Sequence, residues 1–130
     1  MNPLSDQVGA TVLVARVEEY FASVDRNDIA GTLATMTADC VLEYRTQGKA
    51  YTGRDTGIRE YFTARNALVA QSWHGNTQHT VDVSRARVAT RFDLRRTDRG
   101  GLEHTGDNLN LFEFEGDRIK RISVWGGLAR

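Results

Sequence analysis

The sequence has a single cysteine, Cys40, and a single proline. A lone thiol excludes an intrachain disulfide framework and a thiolate zinc ribbon. Cys40 stands in the apolar run Cys40-Val41-Leu42, where a cysteine serves as a small buried hydrophobe rather than as a nucleophile. Net charge is missing too, since 17 basic and 17 acidic residues cancel, so the chain as a whole exerts no long-range attraction on a phosphate backbone. Arg85, Arg87, Arg91, Arg95, Arg96 and Arg99 are locally dense, but Asp82, Asp93 and Asp98 are interleaved with them. This pattern reads as a solvated strand face and hairpin rather than a nucleic-acid patch. No apolar run approaches membrane-spanning length, and Met1-Asn2-Pro3-Leu4-Ser5-Asp6 has no basic region followed by an apolar stretch. The expectation is a cytoplasmic protein with neither membrane nor nucleic acid as partner.

What is present suits one domain. A chain of 130 residues is too short for two separate cores and buries roughly two thirds of its unfolded surface. There is no internal repeat, proline-rich linker or low-complexity tract. Leu13, Val17, Tyr20, Phe21 and Val24 recur at helical spacing between charged residues and predict a helix over 8–24. Asp25-Arg26-Asn27-Asp28 supplies capping groups, and a short second helix is expected through Ile29, Leu33 and Met36. Cys40–Arg45 reads as a strand and Thr46-Gln47-Gly48-Lys49 as the turn into a short extended piece ending at Gly53. A third helix, capped by Asp55 or Thr56 and ending near Val69 or Ala70, carries Ile58, Tyr61, Phe62 and Leu68 inward.

From there the period changes to two. Strands are expected over 72–83, 87–97, 102–115 and 118–125, with turns at Asp98-Arg99-Gly100-Gly101 and Glu115-Gly116-Asp117. Long strands with helices grouped at one face define an α+β fold, here with a strongly bent sheet that encloses a pocket. Val88, Thr90, Phe92 and Leu94 share one side of their strand. In the next strand Asn108, Asn110, Phe112 and Phe114 share a face, while Leu109 and Leu111 lie on the other. Apolar groups on both faces point to a second covering, and a homodimer through the sheet is expected.

Asp25, Tyr44, His74 and Asn108 form the first candidate constellation. A carboxylate beside an imidazole orients the ring and favours its protonated form, so the ring can take a proton and return it. A tyrosine can donate to a carbonyl or leaving oxygen, and an asparagine can hold a ligand without adding charge. Each residue also has a structural reading. Asp25 can simply cap the second helix, His74 can be structural, and Tyr44 can be a wall residue. His79 and His104 are alternatives to His74. Asn108 and Asn110 punctuate an apolar strand and require partners if buried, so their face, continued by Phe112, is expected to line a polar pocket. Tyr20 packs in the core or reaches the cavity, and Trp73 and Trp125 are possible stacking walls. No metal-ligand cluster, dinucleotide fingerprint, phosphate loop or serine elbow occurs, so cofactor-free acid and base chemistry with no metal is the expectation.

The segments Val17-Glu18-Glu19-Tyr20, Val24-Asp25-Arg26-Asn27-Asp28, Ala38-Asp39-Cys40-Val41-Leu42-Glu43-Tyr44, Tyr51-Thr52-Gly53-Arg54 and Phe112–Ile119 resemble the nuclear transport factor 2-like superfamily, and within it the SnoaL-like group. The resemblance covers about 8–126 and implies a single domain. It implies a cone-shaped barrel of strongly curved, mixed or mostly antiparallel sheet packed on three N-terminal helices, commonly dimeric. The stretch Glu18–Arg45 is similar to the scytalone dehydratases. By that resemblance Asp25 pairs with a catalytic histidine, best matched by His74, Tyr44 polarises the substrate and Asn108 binds it, whereas Val24 stands where a tyrosine is expected. The resemblance to lindane dehydrochlorinase implies a similar dyad. Steroid isomerases match at Tyr20, but Tyr44 and Asn110 stand at their two aspartate positions. The implied function is cofactor-independent proton transfer, as a dehydratase, isomerase or cyclase, on a small, partly apolar, oxygenated molecule in a closed pocket. The alternatives are a noncatalytic ligand-binding or dimeric accessory protein and an interaction module.

Overall fold

The computed structural model describes residues 8–127, so the opening segment Met1–Asp6 lies outside the described residues. Helices α1 (Ala10–Asp25) and α2 (Ile29–Ala34) come first, followed by strands β1 (Met36–Tyr44) and β2 (Lys49–Thr52). A π-helical turn, Gly53–Ile58, leads into α3 (Arg59–Leu68). Then come β3 (Val69–Asp82), β4 (Arg87–Asp98), β5 (Glu103–Glu115) and β6 (Arg118–Gly126). Met36 opens β1 instead of closing α2. The third helix begins later than expected because Gly53–Ile58 takes a wider turn first. It ends at Leu68 because the β-branched Val69 is already extended (φ −104°, ψ 119°).

The strands form one six-stranded sheet in the order β2-β1-β6-β5-β4-β3. Neighbours are antiparallel except β1 and β6, which run parallel. This order corrects the barrel expectation, because the edge strands β2 and β3 do not pair and the sheet stays open. β2 has only four residues against the 14 of β3, so it has little ladder to offer. α3 bridges the gap instead. Its Tyr61 ring lies 4.6 Å from that of Tyr51 on β2, and the carbonyl of Leu68 at its other end accepts from the Arg99 amide at 2.9 Å. The same connection corrects the helix count, since only α1 and α2 are N-terminal and α3 follows two strands.

The parity of the long strands sets the core. Val88, Thr90, Phe92 and Leu94 are buried on one face of β4, as are Asn110, Phe112 and Phe114 on β5 and Ile119, Ile122 and Val124 on β6. They pack against Leu13, Val17, Tyr20, Phe21 and Val24 of α1. Each large apolar side chain removed from water contributes about 1.5–3 kcal/mol. Cys40 is part of this core, and burial pushes its thiol up to about 12. On the outer face Glu43 and Glu113 link Arg45, Arg121 and Arg87 in a row of ion pairs across four strands. Arg91 meets Asp107 at 2.7 Å, and Arg95 lies over the Trp73 ring. Among the described residues no helix is long and apolar enough to cross a membrane.

Candidate functional site

Asp25 and Asp28, one turn apart, perform different tasks. Asp28 caps α2, its Oδ1 accepting from the Gly31 amide at 2.9 Å. Asp25, the last residue of α1, reaches β3 instead. Its Oδ1 accepts from Ser72 Oγ at 3.0 Å and meets His74 Nδ1 at 2.5 Å, while Oδ2 accepts from the His74 amide at 2.9 Å. Ser72 and His74 are two apart on a strand and so point the same way. The ring packs against two phenyl rings that also touch each other, Phe21, with centroids 5.2 Å apart and nearly parallel, and Phe92, 5.5 Å away. The pair is largely withdrawn from water, the side chains being 14% (His74) and 22% (Asp25) exposed. With Nδ1 engaged by the carboxylate, Nε2 is left for another partner.

His74 lines a cavity of about 670 Å³. Tyr44 and Asn108 line it as well, together with Tyr61, Arg65, Ser72, Leu94, Arg96, Asp98 and His104. Its rim includes Gln47, Leu102 and Glu103, all exposed, so the space opens to solvent. The Tyr44 hydroxyl donates to the Tyr61 hydroxyl at 2.7 Å. Burial drives both phenols above their ordinary range, strongly so for Tyr44, and for Tyr61 the hydrogen bond from Tyr44 and the charge of Arg65 oppose the rise. At the far wall His104 Nε2 lies 3.0 Å from Asp98 Oδ2, and Asp98 also meets Arg96. Asn108 sits against the end of β6, where a Cβ on Gly126 would fall 2.5 Å from its Oδ1. That oxygen is buried without a hydrogen-bond partner among the described residues. Among the described residues no three histidine, cysteine, aspartate or glutamate side chains converge as a cation site.

The remaining predicted residues lie elsewhere. Tyr20, Asn110 and Phe112 are in the core and do not line the cavity. Tyr20 packs edge-on against Phe62 and Phe112, and burial raises its hydroxyl far above the ordinary phenol range. Trp73, opposite in parity to His74, faces outward and lines shallower grooves, one of them beside Asp25. His79 lies outside the cavity lining, held between Thr90 Oγ1 at 2.7 Å and Glu18 Oε1 at 2.5 Å.

A family model of the SnoaL-like domain matches residues 17–122. The chain belongs to the SnoaL-like family. No curated protein matches its sequence. Among solved structures, this SnoaL-like chain is similar to a candidate polyketide cyclase from Xanthomonas campestris, with TM-score 0.77, 18% identity, and 88% of this chain and 90% of that one covered. It is also similar to a candidate isomerase from Bacillus subtilis, with TM-score 0.80, 14% identity and coverages of 90% and 87%. A Catenulispora acidiphila protein of ketosteroid isomerase-like fold, solved with trimethylamine, superposes with TM-score 0.74, 14% identity and coverages of 84% and 82%. At these identities the likeness establishes the nuclear transport factor 2-like fold of the SnoaL-like family, and these matches do not single out scytalone dehydratase.

Tyr61, Arg65, Ser72 and Arg96 were not singled out from the sequence as site residues. A signal existed for Arg96, which continues the parity of the buried face Val88–Leu94 and so places a guanidinium on an apolar inner face. Ser72 shares the parity of His74. Tyr61 read as inward-facing and does pack against the core, but helical spacing does not reveal that it also lines the cavity.

Proposed function

We propose that this SnoaL-like protein is a cofactor-independent proton-transfer enzyme, a dehydratase, isomerase or cyclase, acting on a small, partly apolar, oxygenated molecule. The observation that carries the reading is the Asp25–His74 contact of 2.5 Å on the wall of a 670 Å³ cavity. His74 Nε2 takes a proton from an acidified carbon while Asp25 stabilises the imidazolium. The electron pair moves onto the adjacent carbonyl oxygen, which accepts a hydrogen bond from the Tyr44 hydroxyl as that donor turns from Tyr61 to the substrate. The same ring returns the proton at another carbon or to a leaving hydroxyl. Asn108 offers an amide to a substrate oxygen or hydroxyl. An accessory role with the cavity filled by Phe62, Phe92 and Phe112 is disfavoured, because these rings pack in the core and do not line the cavity. We also propose that the active form is a homodimer through the outer sheet face.

The test is hydrogen–deuterium exchange at the activated carbon of 2-tetralone in deuterated buffer near neutral pH, followed by NMR. The protein is expected to accelerate exchange, and His74→Ala and Asp25→Asn to lower the enzymatic rate about 10²–10⁴-fold. If His74→Ala exchanges the probe as fast as the parent, the dyad has no catalytic role.

A further inference from the structure

The cavity wall supplied by α3 carries a charge that the dyad does not use. Tyr61 and Arg65 stand four residues apart on α3, so their side chains share one helix face, and both line the cavity. Arg96 lines it from β4, in register with Ser72 and His104. The two guanidiniums are not equivalent. Arg96 meets Asp98, which also meets His104, so that cluster is compensated internally. Arg65 makes one side-chain hydrogen bond, at 3.3 Å to the neutral amide oxygen of Asn66, and forms no ion pair among the described residues. Glu103 also lines the cavity but is exposed at its rim.

Arg65 is only partly exposed, and a cation in a partly dry wall is costly until an anion compensates it. The hydroxyl chain points the same way. Tyr44 donates to Tyr61, so the Tyr61 proton remains for a further acceptor. Burial raises Tyr20, Tyr44 and Tyr61, and the charge of Arg65 acts against the rise at all three, as a cation close to the hydroxyl cluster must.

We infer that Arg65 and the Tyr61 hydroxyl anchor an anionic oxygen, so that the cavity takes an organic acid whose carboxylate lies on α3 and whose acidified carbon lies toward His74. The orientation of the carbon rests on the proton-transfer reading, whereas the anion anchor stands on the α3 wall alone. A charge-assisted hydrogen bond in such a setting contributes about 1.5–3 kcal/mol, which corresponds to roughly 10–100-fold in affinity.

The experiment is an NMR or calorimetric titration with phenylpyruvate and with its methyl ester, equal in apolar body and differing in charge. The acid is expected to bind at least about tenfold more tightly. Arg65→Gln is expected to abolish that preference, Arg65→Lys to restore most of it, and Tyr61→Phe to reduce it. Equal binding of acid and ester, or a preference that survives in Arg65→Gln, overturns the anchor. The two readings fail separately. Acid preference without exchange at the carbon beside the ketone in either phenylpyruvate or 2-tetralone leaves the anchor standing and removes the enzyme, whereas exchange of 2-tetralone without acid preference removes only the anchor.

Discussion

Three phenols of this protein are held where ionisation is penalised. Burial is the leading cause for Tyr20, Tyr44 and Tyr61 alike, and each is displaced upward from the ordinary phenol range. In the unfolded chain these groups release their protons from about pH 10. Above that point the unfolded state binds fewer protons than the native state, so stability is fully present below pH 10 and falls as pH rises toward the native values. An alkaline titration followed by near-ultraviolet absorbance is therefore expected to show these three hydroxyls ionising only together with loss of native circular dichroism. Ionisation of all the tyrosines near pH 10 with the fold intact would contradict the burial argument. The sequence made the hydroxyl types visible but not their pairing. Tyr44 sits on a strand and Tyr61 on a helix 17 residues later, and no local pattern relates the two. For Asp25 the sequence left capping of α2 and a chemical role open, because it ends α1 only three residues before Asp28. What separates them is tertiary, since only Asp25 has β3 beside it.

At the scale of elements, the passage from β2 into α3 controls where Tyr61 and Arg65 stand. Gly57 lies in the π-helical turn, and a Cβ there would meet the Thr52 carbonyl oxygen at 2.6 Å and the Thr52 nitrogen at 3.0 Å. Both atoms are backbone, so relief requires the turn to move away from β2, and α3 must move with it. Gly57→Ala is expected to cost about 1–3 kcal/mol, the usual range for overpacking, measured by urea denaturation. It is also expected to weaken the acid preference, because α3 carries the anchor. A variant with parental stability would show that the turn is looser than its contacts indicate. Most elements were legible from period and turn chemistry. Helix α1, the four long strands and the hairpin at Asp98–Gly101 follow from spacing that involves only neighbouring residues. The extension of β3 back to Val69 and of β1 back to Met36 was not legible, since those ends are held by pairing with β4 and β6 and not by local preference.

At the scale of the whole molecule, the open sheet leaves one face without helices. Parity along β4 and β5 indicated two unlike faces, and the inner one carries the core and the cavity. Closure was misjudged because strand count and length do not say which edges meet; here α3 stands between β2 and β3. On the uncovered face Leu109 and Trp125 are register partners, and they remain 43% and 40% exposed. Ala89 and Leu111 adjoin them across the ladder. The surrounding charges are largely paired within the chain, Arg87 and Arg121 with Glu113 and Arg91 with Asp107, so covering this face strands few ions. An apolar centre within a self-compensated rim suits an isologous contact between two copies. Sedimentation equilibrium is expected to give twice the 14.5 kDa of one chain. Leu109→Arg, which places like charges opposite each other across a two-fold axis, is expected to return the single-chain mass while the circular dichroism spectrum is retained. A single-chain mass for the parent protein at micromolar concentration would leave the outer face uncovered and remove the homodimer from the proposed function, without touching the dyad on the other side of the sheet.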